Sequence, residues 1–404
     1  MKDFMFVSPT QIVFGAGKEK EVGKLIRAHG GSRVLLHHAG GHAVKSGLLD
    51  RVKISLTAEK LDFFELDGVV PNPRLSKVRE GIELYRSRKC DFILAVGGGS
   101  VIDSAKAIAM GVPYEGDVWD FFMEENSVPR AVPVKSSPIG VVLTIAATGS
   151  ELSNSCVITD EEHNLKRACN TDLNRPRFAV ENPELMMSLP KFQTASGLVD
   201  IMSHSMERYF VPREENGKNE LTDRLCEAIF HTCIECSRVL MNDPFNYDAR
   251  ASVMLTSSLS HNNITGVGRT QDWAPHYMEH ELAGDYDVTH GAGLAVMIPA
   301  WMKYVYKDNP EIFVQWATRV MEVGREGKTD EQIILKGIER LEDWYRSMGL
   351  AVRISDMPEM KTSLTENDMQ RMAERVRKTN PDGSIGGLRH LWSKDIVEIF
   401  KLAL

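Results

Sequence analysis

At 404 residues the chain exceeds the usual ceiling for one hydrophobic core, so two packed domains are expected. Lys and Arg number 48 against 56 Asp and Glu, and a net charge of -8 without a basic run excludes a general nucleic-acid binder, whose phosphate contacts require clustered cations. No apolar run reaches the roughly 18 residues of a membrane span and the opening MKDFMFVSPT lacks a signal-peptide pattern, so a cytoplasmic protein acting on small molecules, with neither membrane nor nucleic acid as partner, is expected.

In chain order, the first half alternates apolar runs with amphipathic patterns. RVLLHH (33–38), KLDFFEL (60–66), DFILAVGGG (91–99) and PIGVVLTIAA (138–147) read as strands. KEVGKLIRAHG, SKVREGIELYRSRK and SVIDSAKAIAMG read as the helices between them. This is the pattern of a Rossmann-like α/β domain, a parallel sheet wound with crossover helices, over residues 1–190. After the SLP at 188–190 the texture becomes helical, predicting an all-α second domain over 191–404. Three of the six cysteines, Cys226, Cys233 and Cys236, fall in one helical pattern; the CxxC lacks a second ligand pair and reads as helix packing.

Glycine-rich turns follow the strands of the first domain. In ILAVGGGSVIDSAKAIA, Gly98 and Gly99 let backbone approach a ligand closely, and Ser100 stands at the start of a helix whose free N–H groups and dipole favour phosphate oxygens. Asp103, near that helix start, reads by itself as a dipole partner. TIAATGSELSNS carries Thr144, Thr148 and Ser150, which serve a turn or a nucleotide equally well. VVPNPRLS fixes Asn72 between prolines, suited to a ribose or to capping a helix. Several such sites at strand C-termini make one nucleotide crevice.

The second half holds a different chemistry. GLVDIMSHSMERYF places Asp200 and His204 four apart on a helix bearing Val199, Ile201, Met202 and Met206, where an unpaired buried carboxylate is costly. HYMEHELAGDYDVTHG adds His276, His280 and, after a turn-like AGDYD, His290. One carboxylate and a choice among three more imidazoles suits Zn2+ or Fe2+ rather than Ca2+ or Mg2+. Spacing alone favours the helical pair His276 and His280 and does not say which histidine is left out.

SPTQIVFGAG, VVPNP, AVGGGSVIDSAKAIA, TIAATGSELSNSCVIT, GLVDIMSHSMERYF and HYMEHELAGDYDVTHGAGLAVMIP, in this order over nearly the whole chain, resemble the iron-containing (group III) alcohol dehydrogenases, most closely their butanol dehydrogenase and broad aldehyde reductase branch. The resemblance implies Asp200, His204, His276 and His290 as ligands of Fe2+ or Zn2+. It leaves His280 facing nicotinamide and substrate as a catalytic neighbour. It assigns cofactor contact to Gly98, Gly99 and Ser100, places Asp103 near the nicotinamide, and puts Asn72, Thr144, Thr148 and Lys166 along the crevice. The implied activity is NAD(P)H-linked interconversion of small alcohols and aldehydes, with a homodimer as the assembly. The alternatives are a glycerol dehydrogenase-like polyol oxidoreductase and a catalytically silent nucleotide-binding relative. Where NAD-linked relatives tend to carry Asp, this chain has Ala39, Gly40, Gly41 and His42, with Lys45 nearby, so NADP(H) is preferred and NAD(H) possible; the plainer reading is a tight turn that admits both. The polar link HNNITGVGRTQDWAPH departs from the pattern, and Trp273 in it is positioned to narrow the substrate pocket.

Overall fold

Six short strands, each with an apolar middle, pair in parallel to form the centre of the first half of the chain. The computed structural model describes residues 1–125 and 128–404. Its strands are β1 (Gln11–Phe14), β2 (Arg33–His38), β3 (Asp62–Leu66), β4 (Phe92–Gly97), β5 (Glu124–Glu125), β6 (Val128–Pro129), β7 (Ile139–Leu143), β8 (Ser155–Asp160), β9 (Leu165–Asn170) and β10 (Phe178–Glu181). The sheet order is β1-β10-β7-β4-β2-β3, every neighbour parallel. β5 with β6, and β8 with β9, form separate antiparallel pairs. Every residue of β4 and β7 is buried, as a sheet covered on both faces demands. The covering helices are α1 (Val22–Ala28), α2 (Gly41–Lys45), α3 (Leu48–Ala58), α4 (Leu75–Ser87) and α5 (Gly99–Gly111). Val22, Ile26, Leu49, Val52 and Leu56 of α1 and α3 share one core with Val34, Leu36, Phe92 and Leu94 of the sheet. Four of the six sheet strands are legible in the sequence. β1 and β10 are only four residues long, too short to stand out from their flanks.

The remaining helices are α6 (Lys191–Tyr209), α7 (Arg213–Asn216), α8 (Glu220–Leu240), α9 (Tyr247–His261), α10 (Ala274–Tyr286), α11 (His290–Val305), α12 (Pro310–Arg319), α13 (Asp330–Ser347), α14 (Glu366–Arg375) and α15 (Ser393–Ala403). None of the described helices is long and apolar enough to cross a membrane. The chain divides into a sheet unit, Val7–Leu189 with Phe245–Ser258, and a helical unit, Met1–Phe6, Pro190–Pro244 and Leu259–Leu404. Most of α9 therefore groups with the sheet unit although it lies beyond residue 190 in sequence. All six cysteines are buried, Cys226, Cys233 and Cys236 along α8.

The attachment of α9 within the sheet unit is a buried polar cluster. The Ser258 hydroxyl lies 2.7 Å from Glu151 Oε1 and 2.8 Å from Glu181 Oε1. Two carboxylates cannot share one hydroxyl out of water unless one keeps its proton. Burial, with Glu151 alongside, accordingly pushes Glu181 up to about 8 from its ordinary 4.5. The folded state thus holds a proton that the unfolded chain releases, and stability present below pH 4.5 is lost as pH rises toward about 8. Glu181→Gln, isosteric and unable to ionise, is expected to match wild type in thermal unfolding near pH 4.5 and to exceed it progressively up to about pH 8. An unchanged difference across that range would contradict the shared proton.

Candidate metal centre and nucleotide loops

Four donor groups from three helices meet in the helical unit. Helical spacing puts Asp200 and His204 on one face of α6, and His204 Nε2 lies 3.5 Å from Asp200 Oδ1. His276, in the first turn of α10, brings its Nε2 to 3.9 Å from the same oxygen. His290, which opens α11, brings its Nε2 to 3.6 Å. The AGDYD segment is mostly the last turn of α10, and the chain turns only at Asp287, with φ 52°. Gly291 then permits the close approach of α11 to α6, since a Cβ there would overlap the Ser196 carbonyl. The ligand-capable atoms of Asp200, His276 and His290 lie within 4.8 Å of one another.

This arrangement fits a divalent ion. Bonds of about 2.0–2.2 Å in a tetrahedron place donors roughly 3.4 Å apart, close to the separations found here. His276 Nε2 is buried and, among the described residues, has no hydrogen-bond partner. Three imidazoles with one carboxylate form the donor set that Zn2+ or Fe2+ takes. Two carboxylates brace the set from behind. Glu207 Oε2 lies 2.5 Å from His276 Nδ1, and Glu279 Oε2 2.5 Å from His290 Nδ1. The Glu279 contact is a hydrogen bond and holds the His290 ring, while Glu207 meets His276 Nδ1 as an ion pair outside hydrogen-bond alignment; both stand where carboxylates behind metal-bound histidines do. Burial alone lowers the His276 pKa, but Glu207 outweighs it and the net shift is upward. Burial, with the neighbouring His261 and His276, holds His204 well below its ordinary range and therefore neutral. Gly293 leaves room for Glu279, whose Cγ would stand 2.8 Å from an added Cβ.

His280 is buried beside this set rather than in it. Its ring centroid lies 6.5 Å from His276 and 5.9 Å from His290, with Tyr277 edge-on at 6.1 Å. Sequence reading passed over Glu207 and Glu279, three residues beyond His204 and His276 on their helices, and also His261, whose ring lies 4.0 Å from that of His204. The spacing of the two glutamates is visible in retrospect. No local pattern singles out His261. Trp273 meets His276 edge-on at 5.1 Å and donates from Nε1 to Gln271 Oε1, so its ring is held in place.

In the sheet unit the glycine turns leave the C-terminal ends of adjacent strands. Gly98–Ser100 follow β4, Thr144 follows β7 and Ala39–His42 follow β2; these strands neighbour one another in the order β7-β4-β2. Connections from β2 and β4 depart in opposite directions along the sheet, which makes this the switch point where α/β folds bind nucleotides. His42 and Thr144 line one cavity of about 400 Å³ with Ser46, Asn182, Leu185 and Ser188. Gly99 has a packing reason that the sequence did not reveal, because a Cβ there would overlap the Thr148 side chain. Asp103 is a latch: its carboxylate accepts from Ser150 Oγ at 2.5 Å and Val157 N at 2.9 Å. Buried Lys106 donates to the Ser153 and Ser155 carbonyls, and burial lowers its pKa to about 8. Together they make α5 and the 144–157 loop one rigid piece. Asn72 is buried with φ 52° ahead of α4, and Lys166 is buried on β9 opposite Thr159.

Comparison with known proteins matches the two halves of the chain to two family models. Residues 9–183 match the model of the iron-containing alcohol dehydrogenase family, and residues 194–404 that of its C-terminal region. The chain is 37% identical to NADH-dependent butanol dehydrogenase A of Clostridium acetobutylicum over 99% of both chains. It is 33% identical to an NADPH-dependent aldehyde reductase of Escherichia coli, covering 93% of this chain and 96% of that one. The crystal structure of NADH-dependent butanol dehydrogenase A from Thermotoga maritima superposes with a TM-score of 0.91 at 38% identity, covering 100% of this chain and 99% of that one.

The bracing carboxylates generate a test that needs no turnover. Glu279→Gln keeps the size of the group and removes its charge, and should weaken Zn2+ affinity by about 10- to 100-fold in equilibrium dialysis. Affinity equal to wild type would show that Glu279 does not orient a ligand.

Proposed function

The chain belongs to the iron-containing alcohol dehydrogenase family, and from that premise we propose how its parts serve the reaction. The activity is reversible hydride transfer between NAD(P)H and small alcohols or aldehydes, with primary, butanol-type compounds as the substrate class. The observation that carries this reading is the convergence of Asp200, His204, His276 and His290 with a carboxylate behind two of the imidazoles. These four residues hold the metal, Fe2+ or Zn2+. When bound, such an ion supplies Lewis acidity toward a carbonyl or hydroxyl oxygen. The nicotinamide supplies or accepts the hydride. Glu207 and Glu279 keep Nε2 of His276 and His290 aimed inward through the cycle. His280 is the adjacent imidazole that holds or passes the hydroxyl proton at a ring nitrogen. Gly98, Gly99 and Ser100 offer the N-terminus of α5 to the pyrophosphate. Asp103 acts through position, keeping the Thr148 loop fixed on that helix, while Asn72, Thr144 and Lys166 border the nucleotide. For the assembly we propose a homodimer, which the open edge of the sheet at β1, with Phe14 exposed, would serve.

His276→Ala and Asp200→Ala are each expected to lose bound metal and at least about a hundredfold in kcat together, because one of four ligands is gone. His280→Ala should retain metal and lose rate. Metal loss in His280→Ala comparable to that in His276→Ala would overturn the division between ligands and neighbour.

For the cofactor we propose NADP(H) over NAD(H), with both accepted. The turn after β2 carries no carboxylate to repel a 2′-phosphate, and Gly40 and Gly41, at φ 75° and 48°, have open space where a Cβ would stand. The relatives divide by name between NADH and NADPH, so the turn itself carries the reading. Comparing kcat/KM for NADPH and NADH on one aldehyde decides it, and a tenfold preference for NADH would sink the proposal. Asp at Gly40 would be strained at its backbone angles. Ala39→Asp, at the exposed neighbour, is the cleaner variant and should shift the ratio toward NADH.

A further inference from the structure

We propose that His261 is a positioning residue for the metal centre, fixing the ring of His204 by stacking where the other two imidazoles are fixed by carboxylates. The inference rests on the metal reading given above. His276 and His290 each present Nδ1 to a glutamate. His204 does not: its Nδ1 is buried with neither a hydrogen bond nor a carboxylate contact among the described residues, its one carboxylate contact being at Nε2. A metal-bound imidazole with nothing behind it is free to rotate about its Cβ bond, and ligand orientation is what the groups behind a metal site supply.

A column of flat groups lies against the His204 ring instead. The His261 ring lies against His204 with centroids 4.0 Å apart and planes 42° from parallel. Trp273 stacks on His261 at 5.5 Å and 25°. The Arg208 guanidinium carbon lies 4.7 Å over Trp273. The column starts and ends on α6, because His204 and Arg208 are one turn apart. Arg208 is buried, and its Nη1 donates to the His204 carbonyl at 2.9 Å and the Ser260 carbonyl at 2.8 Å. That second bond anchors the residue immediately before His261. The left-handed backbone of Trp273, φ 69° at the start of α10, aims the indole into the stack. Each member is thus held by covalent or hydrogen-bonded neighbours, and His204 is the member whose rotation the stack prevents. Flatness and bulk are what His261 contributes, which separates this role from that of a ligand or a proton carrier.

The test titrates Co2+ into metal-free wild-type, His261→Ala, His261→Phe and His261→Gln proteins and records the visible d–d absorption. His261→Ala is expected to raise the Co2+ dissociation constant about tenfold or more and to alter the spectrum, as loss of an orienting neighbour does. His261→Phe, which preserves a flat ring, should stay within about threefold of wild type with the wild-type spectrum. His261→Gln, of similar reach without a ring, should resemble Ala. If His261→Ala does not fold, the Phe and Gln pair carries the comparison. Affinity and spectrum unchanged in His261→Ala, or Phe no better than Gln, overturns the inference while leaving the ligand assignment in place. Wild-type protein that takes up no Co2+ overturns the metal reading and this inference with it.

Discussion

The helical unit is organised around the burial of one carboxylate. Asp200 is 2% exposed, in surroundings where a lone charge costs several kcal/mol unless it is compensated. Three imidazole Nε2 atoms converge on its Oδ1 at 3.5 to 3.9 Å, too far to hydrogen-bond and spaced to admit a cation between them, and that convergence makes demands far along the chain. It demands that α10 end at Asp287 so that His290 begins a new helix. It demands glycine at 291, where any side chain would push α11 off α6, and at 293, where one would displace Glu279. It also places two further buried carboxylates, Glu207 and Glu279, behind the rings. The result is an anionic set of three carboxylates around three neutral-capable imidazoles, an electrostatic arrangement completed by a divalent cation.

The sheet unit presents the opposite character, with backbone N–H groups at the start of α5 and glycine turns on neighbouring strands, an arrangement that suits an anion without formal positive charge. Such turns serve a ligand only if they hold their shape. The Asp103 bonds to Ser150 and Val157, and the seat of Lys106 on the Ser153 and Ser155 carbonyls and the Ser153 hydroxyl, supply that stiffness.

How much of this was legible depends on the range of the interaction concerned. Strands β4 and β7 announce themselves as apolar runs because a covered parallel strand is apolar on both faces, and the shorter apolar cores of β2 and β3 stand out between their charged ends. The β8–β9 hairpin does not, since SCVITD and LKRACN mix short apolar stretches with Lys, Arg, Asp and Asn and blend into the surrounding turns. The pairing of Asp200 with His204 follows from helical periodicity within one element. The choice of His290 over His280 as their companion does not, because it turns on how closely two helices approach at Gly291. Here the family resemblance led to His290, while periodicity alone pointed to His280. Glu207, Glu279 and His261 read as ordinary helix-face residues, and their significance exists only across helices. Trp273 was noticed as a departure, but its partners on the two faces, His261 and Arg208, are distant in sequence.

The burial of every cysteine carries a chemical consequence of its own. Burial raises the thiol of Cys90 to about 11 and that of Cys226 to about 12, and raises Cys156, Cys233 and Cys236 as well. At neutral pH such thiols hold almost no thiolate, the form that alkylating reagents and peroxides attack. The CxxC of α8 is therefore inert as a redox pair. Thiol reagents that would count all six cysteines in the unfolded chain therefore meet little thiolate in the folded one.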